Sequence, residues 1–217
     1  SKSVNQASFK ALKEGLVNSG SVMMPCDFID DVGEFAVHNP DIDLGIHLTV
    51  TSEWRDYKWD GVADSFQITS MIDKKGNLFE NKKKFTLNAS SKDLKKELQA
   101  QIDLAKSIGI KPTHIDSHEG ALFFDQNIFK TYLEIGEENQ LPVFVPRDVA
   151  VHFDKNFPKP ENVVIVENLY MALPNLEFKD WSDYYINIVK NLKPGLNEIK
   201  DHLGYDDKEM QQITVEH

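Results

Sequence analysis

The sequence predicts an α/β fold in which a parallel sheet is covered by helices, and three observations carry that expectation. Apolar runs with helical spacing alternate with short strand-like runs along most of the chain. Nearly every strand-like run ends in a side chain able to ligate, titrate or bind an anion. In an α/β sheet or barrel such ends share one face. Finally, 217 residues with 41% hydrophobic content suffice for one sizeable core and require no second domain.

The elements follow in order. SVNQASFKALKEGLVNSG places Val4, Ala7, Phe9, Leu12 and Leu16 near helical spacing, with Ser3 as N-cap and Gly20 as stop. The short apolar SVMMP follows, then a helical pattern in DFIDDVGEFAVHNP that Asn39-Pro40 ends, then the strand DLGIHLTV. Residues 51–90 lack periodicity and read as a long excursion on one face, of the kind that is more often functional than idle. A helix returns at SSKDLKKELQAQIDLAKSIGI, where Ser90 and Asp93 resemble a capping box and Leu94, Leu98, Ile102, Leu104 and Ala105 form a stripe. PTHID is then a strand and NIFKTYLEIGEENQ a helix; PVFVP, VVIVEN and LNEIKDH are further strands, with a helix near FKDWSDYYINIVKNL. Trp181, Tyr184 and Tyr185 fall on one face of that helix and are expected in the core.

Charge and cysteine content exclude several classes. Lys plus Arg total 24 against 35 Asp plus Glu, a net charge of -11, so nucleic acid and anionic membrane surfaces are not expected partners. Cys26 is the single cysteine, so no intrachain disulfide and no thiolate zinc cluster can form. Any metal must be held by imidazole and carboxylate. No apolar run reaches the roughly 18 residues of a membrane helix, and no signal peptide is evident, which sets a cytoplasmic expectation.

The polar strand ends are His47 after DLGI, then His114, Asp116 and His118 in PTHIDSH, Arg147 after PVFVP, Glu167-Asn168 after VVIV, and His202 after LNEIKD. Two neutral imidazoles beside a carboxylate form a familiar set for Zn²⁺ or similar ions, the carboxylate often orienting an imidazole. Each residue also has a structural reading. A lone histidine is more often structural than not, Asp116 can cap the following turn, and Arg147 can form a surface ion pair. His38 and His152 lie in loop-like contexts and receive no role; His217 is terminal.

The runs SKSVNQASFKALKEGLVNSGSVM, NPDIDLGIHLTV, GIKPTHIDSH and EIKDHLGYDDKEM, in this order, resemble the YdjC-like carbohydrate deacetylases, which include chitooligosaccharide deacetylases. The resemblance implies a TIM-barrel-like (β/α) barrel and metal-dependent removal of acetyl groups from N-acetylated mono- or oligosaccharides. It implies one divalent ion, Mg²⁺ or Zn²⁺, held by His47 and His118 together with an Asp. His114 and Asp116 would support these ligands, and His202 would be the catalytic acid–base residue. Arg147 would contact a sugar hydroxyl or the developing oxyanion. The aromatics Trp54, Tyr57 and Trp59 of the excursion would wall a sugar ring or simply anchor the loop.

The sequence departs from the family pattern in places. The Asp-Asp strand end that family members carry would lie directly before Ser1, so residues 1–217 are expected to form a single domain lacking its first strand and its C-terminal end. Glu119-Gly120 stands where another residue and a histidine usually follow, and Leu203 stands where proline is common. Two further readings stay open: a carbohydrate-binding protein without catalysis, and a metal-dependent amidohydrolase of a non-sugar amide. Besides the acetylated carbohydrate, the expected partner is a second copy of the chain in a homodimer.

Overall fold

The computed structural model describes residues 1–153, 161–172 and 176–213. Strands β1 (Ser19–Val22), β2 (Asp43–Leu48), β3 (Ile115–Ser117), β4 (Val143–Pro146) and β5 (Val163–Val166) lie side by side in chain order in one all-parallel sheet. A second parallel pair, β6 (Asn168–Met171) and β7 (Asn197–Lys200), continues the wall. The N–H groups of Glu167 and Asn168 donate to the carbonyl of Leu196 where the chain passes from β5 to β6. Among the described residues no ladder joins β7 to β1, so the expected barrel is realised as a parallel α/β arrangement of a five-stranded and a two-stranded sheet.

Helices α1 (Lys2–Lys13), α2 (Ile29–His38), α3 (Lys82–Asn88), α4 (Ser91–Ser107), α5 (Gln126–Asn139), α6 (Arg147–Phe153), α7 (Trp181–Lys190) and α8 (Lys208–Ile213) complete the chain. The strand period of two divides the sheet cleanly. Ile46, Leu48, Ile115, Val143 and Val145 are buried on one face in a core shared with Leu94, Leu98 and Ile102 of α4 and with Tyr132 and Ile135 of α5. The opposite face carries Ser21, Gly45, His47 and Asp116, the last two in register across β2 and β3. The polar residues therefore face inward, while a hydrophobic layer holds the sheet to its helices.

Several boundaries differ from the sequence reading, each for a local reason. Ser1, not Ser3, caps α1, its hydroxyl accepting from the Val4 N–H; the helix ends at Glu14, and Gly20, expected as the stop, lies within β1. The capping-box half at Ser90 forms as expected, with Ser90 Oγ accepting from the Asp93 N–H at 3.2 Å. The Asp93 carboxylate, however, turns to Ser70, accepting from its N–H at 3.1 Å and its hydroxyl at 2.8 Å. Thus α4 spends its cap on pinning the excursion. VVIVEN divides into β5 and β6 around Glu167, and Arg147 opens the unforeseen α6. Trp181 is 40% exposed rather than in the core, because α7 turns Ile188 inward instead. The Tyr184 hydroxyl donates to the Met171 carbonyl and that of Tyr185 to Asp201. His217 lies outside the described residues.

The excursion is not a loose loop. Trp59, Ile68, Met71, Leu78 and Phe85 are buried in the common core, and α3 forms within it. Two buried side chains of α4 hold its beginning. Gln101 accepts from the Thr49 N–H at 3.0 Å and donates to the Thr49 carbonyl at 2.6 Å. Glu97 accepts from the N–H groups of Val62 and Ala63, both at 2.9 Å, and from Gln101 at 2.8 Å. Trp59 Nε1 donates to the Thr51 carbonyl at 2.8 Å, so this indole anchors the loop and is not free to wall a substrate. The Tyr57 hydroxyl is likewise engaged, donating to Asp27.

Burial raises the pKa of Glu97 above the ordinary carboxylate range, against the three hydrogen bonds that favour its charged form. The folded chain then binds more protons at this site than the unfolded chain between the two pKa values, so stability falls as pH rises through that window. Urea unfolding at a series of pH values from 4 to 8 should show this decline in the wild type, and Glu97→Gln should flatten it.

Candidate functional site

The site is built where β1, β2, β3 and β7 end. His47 is the fifth residue of β2 and Asp116 the middle residue of β3, and parallel register sets them side by side. His47 Nδ1 lies 2.8 Å from Asp116 Oδ1 with both side chains about nine-tenths buried. Because an ionised carboxylate only accepts, Nδ1 carries the proton and the Nε2 lone pair is left for another partner. The second oxygen, Asp116 Oδ2, accepts from the Ser21 hydroxyl at 3.2 Å and lies 3.9 Å from Lys200 Nζ. Burial alone would push the Asp116 carboxyl up; its electrostatic and hydrogen-bonded interaction with His47, followed by those with Lys200 and His114, outweighs burial and holds the pKa below the ordinary value.

His118 follows β3 directly and packs edge-on to His47, with ring centroids 5.1 Å apart. Its Nε2 lies 3.1 Å from each oxygen of Glu53. Glu53 is presented by the anchored start of the excursion: the Ser52 N–H donates to the Phe79 carbonyl at 2.9 Å, and the Trp59 N–H donates to the Ser52 hydroxyl at 3.0 Å. Burial raises the Glu53 pKa, but the hydrogen bond and charge of His118, with the N–H donors of the loop itself, bring the net value below the ordinary carboxylate range.

Glu119 is the third member. It sits in the left-handed region at φ 50, followed by Gly120 at φ 66, inside the short turn His118–Phe123. A non-glycine residue there is strained, and such strain collects at functional sites. The kink brings the Glu119 carboxylate, Glu53 and His118 together, their ligand atoms within 4.8 Å of one another. One imidazole and two carboxylates at that separation suit a divalent cation, with nitrogen favouring Zn²⁺-like ions and carboxylate oxygen also accepting Mg²⁺ or Mn²⁺.

The remaining expected residues differ in their surroundings. His202 follows β7 within electrostatic reach of His47 and His118; desolvation first, then repulsion from His47, Lys200 and His118, lowers its pKa. His114 precedes β3 and is not part of the Glu53, His118 and Glu119 cluster. Its ring stacks on Phe144 at 4.5 Å between centroids and fills the space over Gly45, where an added Cβ would meet Nε2 at 2.3 Å. It also contributes to the lowered pKa of Asp116. Arg147, the first residue of α6, is paired with Glu167, Nε donating to Oε2 at 2.8 Å. Ser21, Glu53, Glu119 and Lys200 were not anticipated. Of these only Glu119 left a signal in the sequence, as a departure from the common pattern after DSH.

The family model described as YdjC-like protein matches residues 1–217. The chain belongs to the YdjC-like family. A carbohydrate deacetylase of Clostridium beijerinckii is 25% identical over 97% of this chain and 79% of its own length. One from Thermoanaerobacter pseudethanolicus is 23% identical over 100% of this chain and 81% of its own length. The crystal structure of a candidate cellobiose-phosphate cleavage protein from Enterococcus faecalis V583 superposes with a TM-score of 0.78 at 20% identity, covering 98% of this chain and 80% of that one. This last likeness concerns the fold, a parallel sheet with covering helices. As in the sequence, no helix among the described residues is long and apolar enough to cross a membrane.

The close seat of His114 over Gly45 yields a direct check on the site's floor. Gly45→Ala should destabilise the protein by about 1–3 kcal/mol through overpacking, read from the urea midpoint at constant slope. Combining it with His114→Ala should return part of that loss, since the clash partner is then removed.

Proposed function

We propose that this protein is a metal-dependent hydrolase that releases acetate from N-acetylated sugars. The observation that carries the reading is the convergence of His118 with Glu53 and Glu119 beside the Asp116-backed His47, in a chain that a YdjC-like model matches from end to end. Relatives named carbohydrate deacetylase and chitooligosaccharide deacetylase supply the substrate class. An inactive carbohydrate binder would have no need to hold strained Glu119 against a second carboxylate.

His47, through Nε2, and His118, with Glu53 and Glu119, would hold one divalent ion, Zn²⁺ or Mg²⁺. Such an ion supplies polarisation of the amide carbonyl and acidification of water. The chain's own residues supply the rest. Asp116 fixes the tautomer and orientation of His47, and Ser21 and Lys200 fix Asp116. His202, whose pKa is lowered first by desolvation, accepts a proton from the attacking water and returns it to the amine nitrogen as the C–N bond breaks, leaving acetate and a free amino sugar. This is the acid–base role expected of His202, an imidazole acting first as base and then as acid. Arg147, held in plane by Glu167, is assigned to a sugar hydroxyl at the rim.

Acetate release from a panel of N-acetylated sugars tests the reaction, with metal content measured on the same preparation. His118→Ala should lose the metal and activity together. His202→Ala should keep the metal and lower kcat on the order of 10² to 10³ fold. The reverse pattern would refute the division of roles. No acetate from any sugar with metal bound would point instead to a different amide substrate.

A further inference from the structure

We propose that Phe124, braced by Lys82, forms a stacking subsite for a second sugar ring beside the reacting unit, so that the preferred substrate is an oligosaccharide rather than a monosaccharide. The proposal rests on the deacetylase reading and adds a residue that sets substrate length.

The argument begins with the pair Phe123-Phe124, adjacent in sequence and opposite in fate. Phe123 turns inward, edge-on to Phe129 and Tyr132 at 6.1 and 5.8 Å between centroids. Phe124, which closes the same short turn that begins at His118, is 61% exposed. A single exposed aromatic is common and by itself means nothing. This one is tied through Lys82 to the backbone of Glu119. Lys82, the half-buried first residue of α3, places Nζ 5.3 Å from the centroid of the Phe124 ring and donates from the same Nζ to the Glu119 carbonyl at 3.1 Å.

One ammonium therefore ties together the phenyl ring and the backbone of the strained residue whose carboxylate lies against His118 and Glu53. A cation over one face fixes the ring by attraction to its quadrupole. The ring's exposure leaves the rest of its surface to solvent. A pyranose presents a face of C–H groups carrying partial positive charge, which complements the negative face of an aromatic ring. With Glu119 as the shared anchor, the phenyl ring and the metal donors are held on one short segment. A sugar whose acetamide reaches His118 would have its linked neighbour over Phe124.

The test uses the metal-loaded full chain with N-acetylglucosamine and its β-1,4-linked disaccharide as paired substrates. Phe124→Ala should raise KM for the disaccharide about 5- to 10-fold, the loss expected for one aromatic stacking contact, while KM and kcat for the monosaccharide stay unchanged. Phe124→Trp should retain the disaccharide KM. An equal change for both sugars, or none for the disaccharide, overturns the proposal. If neither sugar yields acetate, the deacetylase reading fails by itself. The subsite is then decided by NMR saturation transfer from protein aromatic protons to the disaccharide. Signal lost in Phe124→Ala and kept in Phe124→Trp sustains the subsite, and equal signal in all three proteins overturns it.

Discussion

The hydrogen-bonded pair of His47 and Asp116, buried across adjacent parallel strands, is the constraint on which the rest of the site depends. A charge in that position is costly to desolvate and becomes tolerable only when both carboxylate oxygens are occupied. Here one oxygen takes the imidazole N–H, and the other takes the Ser21 hydroxyl and faces Lys200. The pair thereby draws on four strands: β1 gives Ser21, β2 His47, β3 Asp116 and β7 Lys200. It connects the two sheets electrostatically even though no ladder joins β7 to β1 among the described residues.

Around that pair the chain solves a second problem, which is to hold two more carboxylates near a histidine. Glu53 is fixed from behind by a loop whose backbone groups are bound by Gln101, Glu97, Ser52 and Trp59. Glu119 is fixed by left-handed strain and by Lys82 holding its carbonyl. Both devices place the cost of preorganisation in the scaffold rather than in the binding step. The long excursion, which lacks periodicity in the sequence, is in this sense the support of Glu53.

The sequence was most informative where chemistry and periodicity coincide. His47 and His118 were singled out because each ends a strand-like run, and parallel register brings their rings within 5.1 Å between centroids. The resemblance gives Asp116 a supporting role, and in the structure it binds His47 rather than its sequence neighbour His118. The stripe of α4 was legible from Leu94, Leu98 and Ile102, all fully buried. What escaped were Glu53 and Lys200, separated from the histidines by loop geometry and by the return of β7. Neither carries a local pattern. His114 illustrates the same limit in reverse: two histidines four apart look alike in sequence, yet one reaches the site and the other stacks on Phe144.

By itself the sequence determined the α/β class, the single apolar core, the restriction of any metal to nitrogen and oxygen ligands, and the family, since these follow from composition, period and residue order. Only the tertiary structure decided which side chains meet. Register paired His47 with Asp116, the left-handed turn at Glu119-Gly120 delivered a second carboxylate, and Trp59 went to the loop's interior instead of to a sugar. The physical reason is that these contacts join residues as distant as Ser21, Asp116 and Lys200, whose meeting depends on strand order and loop anchoring that no local stretch of sequence encodes.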